Sequence, residues 1–124
     1  MATTWTAIGN GYAYADVSIA SGGNITSEID MIGYSLLRVE MPAAWDAANL
    51  TFQVGAVSGS LVDHYLDGME YTKTSAAASR SVGFTPADSM LFQRYIKIRS
   101  GTAGTPVTQT AARTLRIVGV KIID

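Results

Sequence analysis

Leu50-Thr51-Phe52-Gln53-Val54-Gly55-Ala56 carries an apolar side chain at every second position of its larger residues. Side chains of extended chain point alternately to opposite faces, so this run reads as a strand with Leu50, Phe52, Val54 and Ala56 buried and Thr51, Gln53 and Gly55 turned outward. Ile96 and Ile98 repeat the pattern against Lys97 and Arg99. Working outward, similar short runs fall at residues 13–19, 35–39, 50–56, 62–66, 69–73, 79–83, 95–100 and 114–122. About eight short strands, with Gly and Pro between them, predict an all-β sandwich or barrel. In the last run Leu115 and Ile117 lie on one phase and Val118, Val120 and Ile122 on the other. That pattern predicts a bulge near residues 117–119 or burial on both sides.

The sharpest local signal is Asp67-Gly68 between two such runs. A two-residue hairpin needs positive φ at its centre, which Asp-Gly tolerates. The expected register sets Leu66 opposite Met69 and His64 opposite Tyr71, with Asp63 and Tyr65 on the other side of the ribbon. Two stretches read as single helical turns: Pro42-Ala43-Ala44-Trp45-Asp46-Ala47-Ala48, with proline near a first-turn position, and Thr85-Pro86-Ala87-Asp88, with a capping threonine. Ser21-Gly22-Gly23-Asn24 and residues 101–110 read as loops.

The 124 residues fit one domain, with residues 1–12 as an N-terminal arm and 13–124 as the body. No cysteine is present, so disulfides play no part. Residues 1–15 contain no Lys or Arg and no long apolar stretch, so a secretory signal is not expected there, nor is any run long enough to span a membrane. A net charge of −1 argues against nucleic acid as a partner. The charge is unevenly distributed: residues 1–72 hold eight acids against Arg38 alone, and residues 73–124 hold eight bases against Asp88 and Asp124. Either the two halves interleave and their charges mix, or the molecule has opposed faces suited to head-to-tail assembly.

Catalytic or metal chemistry is not expected. His64 is the single histidine, and zinc sites are rarely built from carboxylates alone. Ser60, His64 and Asp67 form a nominal triad on one hairpin, without a pocket to support it. Glu28 with Asp30 and Asp63 with Asp67 read as solvated surface, and no EF-hand spacing or phosphate-binding glycine loop occurs. No cofactor is called for. The aromatic residues are better candidates, since exposed Trp and Tyr serve as interface anchors and sugar platforms. Trp5, Tyr12 and Tyr14 lie in a segment with no charge before Asp16, and Tyr12 and Tyr14 share a face if extended. These three are the candidate partner-contact residues; Trp45 and Phe92 are assigned to the core.

From residue 41 to 122 the chain resembles a family of small structural proteins of tailed phages, the capsid decoration or cement proteins. The likeness is carried by Pro42-Ala43-Ala44-Trp45-Asp46-Ala47-Ala48-Asn49-Leu50-Thr51-Phe52-Gln53-Val54, by Arg94-Tyr95-Ile96-Lys97-Ile98-Arg99-Ser100-Gly101-Thr102 and by Thr105-Pro106-Val107. It implies an antiparallel jelly-roll β-sandwich, a homotrimer made in the host cytoplasm and sited on the capsid exterior, with the major capsid protein as partner. The same pattern is similar to discoidin-type jelly rolls, which bind carbohydrate or lipid head groups through loops at one end. That likeness implies a carbohydrate-binding or host-adsorption module as the alternative, with Tyr12, Tyr14 and Tyr65 as stacking platforms.

Overall fold

The computed structural model describes residues 3–85 and 93–122. The described residues form an antiparallel β-sandwich without helices. One sheet has the order β1 (Thr6–Gly9), β2 (Tyr12–Ile19), β12 (Arg113–Lys121), β4 (Tyr34–Glu40), β10 (Ser81–Gly83). The other runs β3 (Ile29–Asp30), β11 (Tyr95–Ser100), β5 (Leu50–Gly55), β6 (Val62–Asp63), and β9 (Thr72–Lys73) also pairs with β5. A two-stranded ribbon, β7 (Tyr65–Leu66) with β8 (Met69–Glu70), lies between β6 and β9 in the chain.

The alternation that opened the sequence reading sets the facing of the layers. Leu50 and Phe52 of β5 and Ile96 and Ile98 of β11 are buried, and they share one core with Ala15, Ile19, Leu36, Val39, Leu115 and Ile117 of the opposite sheet. Phe52 sits at its centre, tilted against Tyr71 at 5.7 Å and edge-on to Phe84 at 5.9 Å between ring centroids, separations at which aromatic pairs attract. Val54 packs on the rim of this core. Ala56 lies beyond the end of β5 and is exposed, contrary to expectation. Thr51 and Arg99 do point away from the core but are buried, because the ribbon region covers that outer face.

The ribbon has the register read from Asp67-Gly68. Leu66 pairs with Met69 and Tyr65 with Glu70, while the His64 and Tyr71 rings lie 5.6 Å apart. Asp67 and Gly68 take φ of 54° and 78°, as a hairpin with both central residues left-handed requires. The last strand carries no extra residue of its own, since it pairs with β2 in unbroken register, and of the two expectations burial on both sides holds, at Ile117 and Val118; the bulge lies beside it, in β4. Val118 pairs with Arg38 and Gly119 with Leu36, so Leu37 is left over. This resets the phase of β4, and Leu36 and Val39, three apart, both reach the core.

Two expectations need correction. Residues 42–48 form bends, not a helical turn. The main chain of Asp46 is captured by the buried side chain of Gln109: its N–H donates to Gln109 Oε1 at 2.9 Å, and its carbonyl accepts from Nε2 at 3.0 Å. Those bonds replace the helical ladder that a seven-residue segment could form only weakly. Residues 1–12 are not a separate arm where they are described, since Thr6–Gly9 is an edge strand of the first sheet and Trp5 packs against the core. The second helical turn, at residues 85–88, and the core assignment of Phe92 lie outside the described residues, except for Thr85.

Candidate functional site

Charge is the first thing the fold rearranges. Asp16 pairs with Arg116, Asp30 with Arg94, Asp46 with Arg113, and both Asp63 and Glu70 with Arg99. In each of these pairs the acid comes from the first half of the chain and the base from the second, while Arg38 pairs with Glu40 inside the first half, so the halves interleave and the opposed-face reading is set aside. The Asp16–Arg116 and Asp30–Arg94 pairs are the more solvent-exposed and contribute little stability. The Arg99 cluster differs, because its guanidinium is enclosed. Nη2 donates to Asp63 Oδ1 at 2.7 Å and Nη1 to Glu70 Oε2 at 3.1 Å. Glu70 also accepts from the Ala103 N–H. One side chain of β11 thereby fastens β6, β8 and the loop after β11 to the sheet.

What this clamp holds in place is apolar and exposed. Val62, Tyr65, Leu66 and Met69 are 67%, 56%, 41% and 72% accessible. Leu66 and Met69, opposite each other in the ribbon, share one of its faces and Tyr65 takes the other; scattered apolar residues on a surface need no explanation, but four exposed on one tied-down hairpin make it a candidate interaction site. The ribbon lies on the outer side of the second sheet, over Arg99 and Thr51.

The outer side of the first sheet carries a second surface. Ile8, Gly9, Asn10, Tyr12, Leu37, Arg38 and Val118 line a groove of about 440 Å³. Tyr12 is exposed there. Tyr14, opposite Val118 in the ladder, is half-buried, with the Arg116 guanidinium 4.1 Å over its ring. Trp5 is turned the other way: it stacks on Tyr34 at 4.5 Å, and its indole N–H donates to the Asp30 carbonyl at 2.9 Å. The three candidate contact residues therefore do not form one strip, and Tyr12 alone presents a largely open ring. Tyr65 belongs to the ribbon on the other sheet, so it does not complete a platform with Tyr12 and Tyr14.

The nominal triad does not come together as a catalytic unit. The His64 ring packs against Tyr71, and Asp67 occupies the centre of the turn. Glu28 is held by the Ser58 hydroxyl and the Gly59 N–H, and a small polar cleft that it lines with Asp16 recruits no third carboxylate. Among the described residues no group of three His, Asp or Glu side chains is placed to hold a metal. Gln109 escaped the sequence reading altogether. It is fully buried and ties together the loops at one end of the sandwich, bonding to Asp46, to Ser100 Oγ at 2.7 Å and, through its backbone, to Gly22 and Gly23. A lone glutamine in a run of small polar residues offers no periodic signal of burial.

Titration of these groups predicts how stability responds to pH. Burial holds His64 below its ordinary value of 6.5, so the unfolded chain takes up a proton there before the folded one, and stability falls as pH drops below 6.5. Hydrogen bonds from Arg116, Arg94 and Arg99 hold Asp16, Asp30 and Asp63 below the usual carboxylate range. Their contribution is intact above the ordinary carboxylate pKa and is lost as pH falls through the lowered folded values. Melting temperature is expected to decline in two stages between pH 8 and pH 3, and His64→Gln is expected to flatten only the upper one. A wild-type melting temperature constant from pH 8 to 5.5 would rule out the upper stage.

Comparison with family models, with curated proteins and with solved structures returns no match.

Proposed function

We propose that the protein is an adhesive structural component of a tailed-phage virion, a decoration protein that binds the outer surface of the head and joins capsid subunits. The observation that carries this reading is the clamped apolar ribbon, with Val62, Tyr65, Leu66 and Met69 open to a partner and Arg99 keeping it ordered beforehand. Ordering the contact in advance lowers the entropy lost on binding. The sequence likeness supports the virion setting, and its three stretches are spatial neighbours here. Residues 50–55 pair with 95–100 along their whole length, and Gly101 bridges to Pro106. Contacts that are weak singly become strong when repeated on a lattice, so a modest patch is sufficient.

Purified protein is expected to co-sediment with heads that lack it and to raise their resistance to heat. Met69→Lys, at an exposed position, is expected to leave the melting temperature unchanged while weakening attachment at least about tenfold, the loss of one interface anchor. Wild-type protein that fails to bind such heads defeats the reading. The alternative, a carbohydrate-binding module, is favoured by the exposed Tyr65 ring; glycan binding abolished by Tyr65→Ala, with attachment to bare heads absent, selects it instead.

A further inference from the structure

We propose that β1 pairs antiparallel with β1 of a second copy across a two-fold axis, making one continuous sheet of the two five-stranded ones. Among the described residues β1 is the last strand of its sheet, bonded to β2 on one side, and all four of its residues are exposed. Such an edge leaves a row of backbone N–H and C=O groups ready to pair, and single-copy proteins usually guard it with Lys, Pro or an inward charge. Lys, Pro and inward charge are absent here, since residues 3–15 contain no charged residue and no proline, and the guards present are the four-residue length of β1 and the bulge at Ile8. The register break at Ile8, where Ala7 pairs with Ala13 and Gly9 with Tyr12, leaves the chain ahead of it regular.

The absence of charge also argues for the chain's own copy as the occupant. A two-fold axis through a four-residue strand brings the side chains at its two central positions within about 6 Å of their duplicates, inside the roughly 8 Å over which like charges repel at physiological salt. Any charged residue on this edge would oppose self-pairing, and there is none. Ile8, 58% accessible, and Tyr12, 43% accessible, would continue as one apolar strip across the axis, joining the two grooves that hold Leu37 and Val118. This contact lies on the face opposite the Met69 ribbon, so pairing of copies and attachment to a head use different surfaces. The inference does not rest on the virion reading. A trimer, as the sequence likeness implies, is compatible with it only if trimers are linked in pairs.

Sedimentation velocity of the full chain tests the pairing. The wild type is expected to form species with an even number of chains. Ile8→Lys alone and Ile8→Glu alone are each expected to lose that pairing with circular dichroism unchanged, and an equimolar mixture of the two is expected to recover it. Met69→Lys is expected to pair as the wild type does. A wild type of one or three chains overturns the proposal, as does undiminished pairing by Ile8→Lys at the concentrations where the wild type pairs. Loss of pairing by Met69→Lys with Ile8→Lys unaffected places the contact on the ribbon and overturns it equally.

Discussion

Arg99→Met is expected to lower the free energy of unfolding by about 3 kcal/mol, because it strands two carboxylates beside a covered sheet face. The Arg99 side chain is 8% exposed and Glu70 14%, whereas Asp63, at 35%, recovers part of its hydration when its partner is lost. Breaking a buried ion pair typically costs about 3–5 kcal/mol, and the accessibility of Asp63 sets the expectation at the lower end. The longer-range consequence is mechanical. His64 N–H donates to the Phe52 carbonyl, which ties the hairpin to the sheet, and Tyr71 N–H donates to the His64 carbonyl across the base of the hairpin, next to that tie. Urea denaturation measures the loss, and amide exchange at His64 and Tyr71 should quicken more than at Ile117 in the central strand. Adding Asp63→Asn and Glu70→Gln to Arg99→Met removes the stranded charge and is expected to restore more than half of the stability. A single variant within about 1 kcal/mol of wild type would show that the cluster is solvated, and the ordered ribbon would lose its cause.

The sequence announces this cluster poorly. Arg99 alternates with Ile98 and so reads as an outward, wetted cation; its direction is right and its burial is not. Alternation reports which face a side chain takes, while coverage of that face depends on chain arriving from 29 to 36 residues away. Local chemistry was legible where it suffices, as in the Asp67-Gly68 register and the strand pair of residues 50–55 and 95–100. It was not legible at Ile29–Asp30, a two-residue edge too short to alternate, or at Thr6–Gly9, whose Ala and Gly give no pattern. Helix propensity at residues 42–48 gave way to the buried Gln109 amide, a tertiary bond with no local trace. Trp5, Tyr12 and Tyr14 do not share one face for a related reason. The bulge at Ile8 and the reversal at residues 9–11 fold the N-terminal segment back on β2, turning the indole inward while both tyrosines stay on the outer face.

Gly101→Ala is expected to cost about 3–4 kcal/mol, far more than one methyl group suggests. Gly101 has φ of 89°, in the region where a side chain is strained by about 1–2 kcal/mol. A Cβ there would lie 2.6 Å from both the Thr105 carbonyl oxygen and the Val107 nitrogen, which are backbone atoms that cannot rotate away. Relief requires lifting residues 102–107 off the strand end. That movement strains the Val107 N–H bond to the Ser100 carbonyl at 2.8 Å and the bridge between Gly101 and Pro106. It also disturbs the buried Thr51 hydroxyl, which donates to the Gly101 carbonyl at 2.7 Å. Each such bond contributes about 1 kcal/mol, so two of them weakened, added to the backbone strain, give the expected total. Gly104 lies in the same loop with open space where its Cβ would be, so Gly104→Ala is expected to stay within about 0.5 kcal/mol of wild type. Chemical denaturation of the two variants side by side separates the causes. Equal losses would mean that loop entropy, and not the close approach at Gly101, sets the cost, and the tight return of the chain over β11 would then have no energetic role.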